Sequence, residues 1–135
     1  MTHENQRANI AVEIARADRA FRSAQILCDA GEAADAVSRA YYAALHYARA
    51  LLLTQATEPQ THRGVLRLIS RDFVRTGQLA PDVAAALSKL EKQRLEADYS
   101  AELVFTETEA AVELEAAKTF IDAVTTLLRR GGWVE

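Results

Sequence analysis

Residues 35–53 read DAVSRAYYAALHYARALLL, a stretch that contains no glycine or proline and is rich in alanine and leucine. This composition favours a helix. The apolar residues follow the alternating three- and four-residue spacing of one helical face, which packs against neighbouring helices. They are Val37, Ala40, Ala44, Tyr47 and Leu51. The stretch is therefore predicted to be a core helix, and the rest of the chain is interpreted around it.

The opposite side of the same predicted helix is polar. At about 100° per residue, its polar side chains fall within roughly a quarter-turn of one another. They are Asp35, Arg39, Tyr42, His46 and Arg49. Small residues flank this face, where an ordinary solvated surface carries lysine and glutamate. We therefore expect something to dock on it.

Length and composition predict one helical domain over residues 1–135, with its core at about 8–130. Half of the 135 residues are hydrophobic and 26% are charged, with only five glycines and two prolines, which argues against disorder and against a turn-rich β fold. The polar first residues lack the apolar core of a signal peptide, and no apolar run approaches the roughly 18 residues of a membrane span. We expect a cytoplasmic protein without membrane contact.

Five helices are predicted from the same periodicity and from the residues that start and stop helices. Gly31 ends the first, and the short connection after it makes the first two helices an antiparallel hairpin. Pro59 marks a loop, Pro81 opens the fourth helix, and Thr106 begins a capping box before the fifth. The predicted spans are about 4–30, 32–55, 61–76, 81–99 and 106–131. The predicted fold is all-α, an antiparallel up-and-down four-helix bundle with an additional short helix.

The third predicted helix carries arginines at every fourth position. They are Arg63, Arg67, Arg71 and Arg75, and a single aspartate lies among them, whereas the whole chain has a net charge of −3. Like charges at this spacing destabilise a helix by a few tenths of a kcal/mol each. We call these four arginines the ridge. It is either solvated and paired with acidic neighbours, or a surface that binds RNA phosphates, for which Arg63 and Arg67 are the candidate contacts.

Arg94 stands where the apolar stripe of the fourth predicted helix should continue after Leu87 and Leu90. A guanidinium in that position needs a partner. Asp98 lies one turn further on and can supply it, with Tyr99 beside it. We predict a buried or half-buried ion pair between Arg94 and Asp98.

Several chemistries lack the residues that they need. The three histidines are scattered, there is one cysteine, and no spacing places two metal ligands on one helical face. No context for a nucleophile elbow and no glycine-rich phosphate loop is present. We therefore expect no metal and no cofactor, and the candidate chemistry falls to arginine and histidine.

Arg39 and His46 are two helical turns apart, about 10 Å along the axis, with Tyr42 between them. A histidine can take a proton from a ribose 2′-hydroxyl, and an arginine can neutralise the charge that grows on the phosphate. This pair suffices for RNA cleavage without a metal. Alternatively, the face only holds two subunits together, through Asp35/Arg39 and Tyr42/His46 pairs one turn apart.

The run SRAYYAALH at residues 38–46, the following ALL at 50–52 and the later RLEADY at 94–99 together resemble the HEPN superfamily of small helical bundles. The likeness is closest to its stand-alone bacterial and archaeal branch, which is of toxin-antitoxin type. The signature of the family is an arginine, four to six residues, and a histidine. Arg39 and His46 enclose six residues.

The resemblance implies a homodimer in which two signature helices face each other across a cleft. In active members the paired arginines and histidines form a metal-independent endoribonuclease that leaves a 2′,3′-cyclic phosphate and a 5′-hydroxyl. A minimal nucleotidyltransferase often restrains such toxins, by binding them or by adenylylating a tyrosine two residues after the histidine. Here that position is Ala48, with Tyr47 one residue early, so control by this modification is not expected to carry over.

Inactive members of the family serve as binding modules. A second hypothesis is therefore a non-catalytic partner for a nucleotidyltransferase or a nucleotide, and the acidic net charge favours it because efficient ribonucleases are more often basic. Under the first hypothesis the residues take three roles. Arg39 and His46 are catalytic, Tyr42, Arg49, Arg63 and Arg67 bind or orient the RNA, and Asp35, Arg94, Asp98 and Tyr99 form the supporting shell.

Overall fold

A computed structural model describes residues 2–99 and 105–135, and there the apolar periodicity produces five α-helices and no strand. A single π-helical turn, Ser70–Val74, extends the third helix. The helices are α1 (His3–Asp29), α2 (Ala33–Leu53), α3 (His62–Ile69), α4 (Pro81–Tyr99) and α5 (Glu107–Arg130). The predicted all-α bundle of four longer helices and one short helix is confirmed.

The second helix forms the centre of the bundle. Its many alanines allow α1, α4 and α5 to pack closely around it, and most of its side chains are buried. The main core draws on every α-helix, through residues such as Ile10, Leu45, Val65, Leu87 and Phe120. Burying a leucine or phenylalanine of this kind contributes about 1.5–3 kcal/mol. The core therefore fixes the rotation of α2 about its axis.

This rotation leaves one narrow strip of α2 in contact with solvent. Apart from Ala34, the partly or fully exposed residues of α2 are the five of the predicted polar face, namely Asp35, Arg39, Tyr42, His46 and Arg49. The helical periodicity thus located the accessible face correctly. Every other position of α2 is buried.

The helix ends follow local signals in the sequence. Gly31 has a φ of +82°, a backbone conformation that glycine adopts without strain, and it closes the turn between α1 and α2. At the start of α5, the hydroxyl of Thr106 accepts a hydrogen bond from the Glu109 amide, while the Glu109 carboxylate accepts one from the Thr106 amide. Both features confirm the predicted boundaries.

The third helix differs from its prediction, because its last turn is π-helical instead of α-helical. The amide of Arg75 donates to the carbonyl of Ser70 at 3.0 Å, five residues back. A turn closed by five residues breaks the four-residue period. Arg75 therefore leaves the straight row that the sequence predicts with Arg63 and Arg67.

Candidate active-site groove

His46 is held by a carboxylate from the neighbouring helix. Its Nδ1 lies 2.6 Å from Oε2 of Glu13 in α1, and both side chains are mostly buried. Burial alone raises the pKa of Glu13, but the hydrogen bond with His46 and the charges of His46, Arg16 and Arg49 outweigh burial and hold that pKa below its usual 4.5. Glu13 is therefore ionised at neutral pH and accepts from Nδ1–H. Nε2 is the ring nitrogen left for a substrate.

A groove of about 330 Å³ opens beside His46, between α1 and α2. Its lining is basic, because three guanidinium groups meet there and no carboxylate of the described residues takes part. The lining residues are Arg16, Arg19, Ala20 and Ser23 from α1, with Arg39, Tyr42 and His46 from α2. Guanidinium groups bind phosphate through paired hydrogen bonds. The groove thus suits an anionic ligand placed next to an imidazole.

Arg39 rests on an aromatic ring. Its Cζ lies 4.8 Å from the ring centroid of Tyr42, a cation–π contact. The guanidinium of Arg39 stays exposed at the groove, so the contact positions the charge without burying it. Tyr42 accordingly acts as a support for Arg39 and as part of the lining.

On the other side of Tyr42, a buried cation joins α4 to α2. Arg94 is 7% exposed, and its Cζ lies 5.1 Å from the ring of Tyr41 and 5.6 Å from the ring of Tyr42. Its Nη1 is 3.5 Å from Oδ2 of Asp98, as the interrupted apolar stripe predicts. The Ser38 hydroxyl donates to Oδ1 of the same carboxylate at 3.0 Å. Asp98 thus ties Arg94 to the signature helix.

A second histidine lies in this part of the site. The Tyr41 hydroxyl and Nδ1 of His62 share a hydrogen bond of 3.0 Å, and the rings of Tyr42 and His62 meet edge to face at 6.1 Å. Burial and the nearby charges of Arg94 and Arg49 lower the pKa of His62 from 6.5. His62 is therefore neutral at pH 7.

Five of the ten residues that the sequence predicts for the site are brought together, and five are not. Those brought together are Arg39, Tyr42, His46, Arg94 and Asp98. Arg49 donates to the carbonyl of Pro59 at 3.0 Å and so anchors the loop before α3. Asp35 is exposed and, among the described residues, forms no ion pair with Arg39, while Tyr99 is 78% exposed. Arg63 and Arg67 are exposed on α3 and do not line the groove.

Sequence reasoning missed the contribution of α1 and the place of His62. Glu13, Arg16 and Ser23 are separated by three and seven residues, so a polar stripe on α1 was available as a signal. Nothing in the sequence signals that His62 meets Tyr41, because the pairing depends on how α3 packs. The hydrogen bond of His46 with Glu13 was not among the pairings considered from the sequence.

Metal ligands and membrane spans have no counterpart in the described part of the chain. These residues contain no group of three or more histidine, cysteine or acidic side chains that could hold a metal ion. None of their helices combines the length and the apolar character that crossing a membrane requires.

Fold and groove together define a class of small helical bundles in which one central helix presents an arginine and a histidine to solvent. The family model of the HEPN domain matches residues 12–127. The chain belongs to the HEPN domain family.

Relatives support this assignment. The chain is 33% identical over 129 residues to the protein named "Putative toxin MJ0605" of Methanocaldococcus jannaschii, a match that covers 96% of each chain. It is 29% identical over 113 residues to a UPF0332 protein of Thermotoga maritima, covering 84% of this chain and 86% of the relative. The crystal structure of TT1696 from Thermus thermophilus has the same fold, with a TM-score of 0.75 at 22% identity over 87% of this chain and 96% of that one.

Proposed function

We propose that this protein is a metal-independent endoribonuclease of the HEPN toxin type, acting in the cytoplasm on RNA. One observation supports it above the others: His46 is fixed by an ionised Glu13 beside a groove that holds Arg16, Arg19 and Arg39. An imidazole next to guanidinium groups supports a reaction that needs an acid-base group beside a bound phosphate. Membership of a family with relatives named as toxins supports the biological class.

The reaction we propose is attack of the ribose 2′-oxygen on the adjacent phosphorus. His46 exchanges a proton with the reacting oxygens through Nε2, and Arg39 stabilises the negative charge that develops on the phosphoryl oxygens. Arg16 and Arg19 bind the flanking phosphates. The products are a 2′,3′-cyclic phosphate and a 5′-hydroxyl.

We further propose that two subunits pair through the exposed strip of α2 and share a cleft. A minimal nucleotidyltransferase is the proposed antitoxin, and it acts by binding. Modification of Tyr47 does not fit, because this side chain is 7% exposed and its hydroxyl donates to Asp18 at 2.7 Å. Ala48, which is fully buried, occupies the position of the tyrosine that related toxins modify.

The test is cleavage of a mixed-sequence RNA in the presence of EDTA. Wild-type protein is expected to yield cyclic phosphate ends, and His46→Ala to lose activity by about 10²–10⁴-fold. His3→Ala is the matched control, because His3 stacks on Trp133 at 4.5 Å and lies outside the groove. Activity that requires a divalent metal, or that survives His46→Ala, contradicts the proposal. Tight RNA or nucleotide binding without cleavage would favour the non-catalytic binding module.

A further inference from the structure

The ring of Tyr42 is held by several neighbours, while its hydroxyl is not. The Cζ atoms of Arg39 and Arg94 lie over the ring, 4.8 and 5.6 Å from its centroid. The rings of Tyr41 and His62 meet it edge to face, with centroids 5.3 and 6.1 Å away. These contacts come from α2, α3 and α4, so they fix where the phenol ring lies. The ring is therefore already engaged, and the hydroxyl is the part of Tyr42 left for a ligand.

The Tyr42 hydroxyl has no hydrogen-bond partner within residues 2–99 and 105–135, and it is not sealed inside the protein. In that part of the chain, the buried side-chain polar atoms without a hydrogen bond are Nε of Arg94 and Oε2 of Glu113. The Tyr42 oxygen is not one of them, so solvent reaches it. Tyr42 lines the groove together with Arg39 and His46. A ligand in the groove can therefore bond to this hydroxyl without displacing a hydrogen bond of the protein.

The charges around this hydroxyl favour an anionic ligand. Arg16, Arg19 and Arg39 line the groove, and Arg94 adds a buried positive charge at the phenol ring. Asp98 offsets the charge of Arg94 in part, from 3.5 Å. A phenol can donate a hydrogen bond, and an anionic oxygen is drawn to a positively charged site and accepts such a bond. A phosphate oxygen is the acceptor that suits these surroundings.

Tyr42 also has a suitable position along α2. Arg39 precedes it by three residues and His46 follows it by four, so about one helical turn separates Tyr42 from each of them. All three side chains line the same groove. A phosphate that is bound by Arg39 and attacked beside His46 is therefore expected to lie alongside the Tyr42 hydroxyl.

We propose that Tyr42 is a further catalytic residue, whose hydroxyl donates a hydrogen bond to a non-bridging oxygen of the reacting phosphate. This inference rests on the proposed endoribonuclease function and adds a contact to it. The hydrogen bond strengthens as negative charge grows on that oxygen during attack of the 2′-oxygen, so it stabilises the transition state more than the substrate. Tyr42 keeps its proton throughout, and the proton transfers remain with His46.

The first test is Tyr42→Phe, which removes the hydroxyl and keeps the ring that supports Arg39. We expect kcat for RNA cleavage in EDTA to fall by about 10²–10³-fold, the usual effect of deleting one such donor. The affinity for an uncleavable 2′-deoxy RNA should change far less, and the thermal melt should stay at the wild-type value. Tyr47→Phe is the matched control, because the Tyr47 hydroxyl on the same helix donates to Asp18 at 2.7 Å and Tyr47 does not line the groove. It should cleave RNA at the wild-type rate.

Sulfur substitution at the scissile phosphate tests the contact itself. Sulfur accepts hydrogen bonds poorly, so the phosphorothioate diastereomer with sulfur at the oxygen bonded to Tyr42 should lack this contact from the start. Wild-type protein should cleave that diastereomer more slowly than the oxygen substrate. Tyr42→Phe should show little of this slowing, because deletions of the two partners of one hydrogen bond are not additive. Equal slowing of wild type and Tyr42→Phe by both diastereomers would overturn the proposal.

A second variant separates the hydroxyl from the ring. Tyr42→Leu removes both, so it should lose at least as much activity as Tyr42→Phe. Full activity in Tyr42→Phe together with a loss in Tyr42→Leu would reduce Tyr42 to a support for Arg39 and refute the hydrogen bond. If wild type cleaves RNA in EDTA and His46→Ala does not, that result refutes this inference alone. If wild-type protein cleaves no RNA in EDTA, the proposed function fails and this inference fails with it.

Discussion

Two surfaces of this protein are rich in arginine, and they are built differently. In the groove between α1 and α2, Arg16 lies 3.4 Å from Glu13 and Arg39 rests 4.8 Å from the centroid of the Tyr42 ring. On the ridge of α3, the arginines extend into solvent, and among the described residues only Arg71 forms an ion pair, with the adjacent Asp72. Arg16 and Arg39 each contact a residue of the site on their own helix, whereas Arg71 pairs with Asp72 outside the groove.

This difference shows why charge density alone is a poor guide to a site. The ridge has the more regular pattern in the sequence, yet an exposed, unrestrained side chain must lose its freedom when it binds. In the groove, Arg39 rests on the Tyr42 ring next to an imidazole that Glu13 orients. Catalysis depends on such preorganised charges more than on the number of charges. Three changes test whether the contrast holds.

The largest expected effect comes from Glu13→Gln, which removes the carboxylate but keeps its shape. An amide can present its N–H to Nδ1 of His46 and so stabilise the tautomer with the proton on Nε2. We expect kcat/KM for RNA cleavage to fall by about 10²-fold or more, with RNA binding unchanged. Steady-state cleavage and anisotropy measure the two quantities.

Glu4→Gln is the matched control, because Glu4 is an exposed acidic residue of the same helix. It should behave as wild type. If Glu13→Gln also retains wild-type kcat/KM, then Glu13 does not orient His46 during the reaction, and the groove loses its main distinction from the ridge.

A smaller effect, on stability, is expected from Arg94→Leu. The substitution removes a buried guanidinium from two tyrosine rings and leaves Asp98, among the described residues, with the Ser38 hydroxyl as its partner. Because the Asp98 side chain is 30% exposed, water compensates part of the loss. We expect the free energy of unfolding to drop by about 2 kcal/mol.

Urea denaturation measures this change, with Arg67→Leu on the ridge as the control. Arg67 is exposed, so its substitution should stay within about 0.5 kcal/mol of wild type. Equal stabilities for the two variants would mean that apolar packing replaces the cation–π contacts and the ion pair of Arg94 completely.

The sequence predicts those features that depend on neighbours within one helix. The exposed residues of α2 follow one another at spacings of three or four residues, and Arg94 and Asp98 are four residues apart. Helical geometry alone therefore locates both features. His46–Glu13 and Tyr41–His62 join residues 33 and 21 positions apart, and no local pattern encodes how those helices pack. The Asp35–Arg39 pair illustrates the converse, since correct spacing on one helix did not produce a contact.

The π-helical turn marks another limit. Residues 70–74 carry no glycine or proline and fit an α-helical pattern as well as any other stretch. Phe73 is nevertheless buried, and the wider turn is the backbone path by which the chain reaches Leu79, which is also buried. Tertiary packing determines such a turn, and propensity is too weak a signal to predict it.

The smallest expected effect discriminates between the two surfaces as RNA contacts. Two double variants are compared, Arg16→Ala/Arg19→Ala in the groove and Arg63→Ala/Arg67→Ala on the ridge. Each removes two positive charges, so both weaken the long-range attraction between protein and RNA equally. Each lost phosphate contact should reduce the salt dependence of single-stranded RNA binding by about 0.7 in log–log slope. We expect that reduction for the groove pair and an unchanged slope for the ridge pair. Anisotropy titrations of an uncleavable RNA over a range of salt concentrations measure both slopes. The reverse result would place the RNA path on α3. A change in salt dependence reports contacts with phosphates, and it does so whether or not the arginine side chains are restrained before RNA binds.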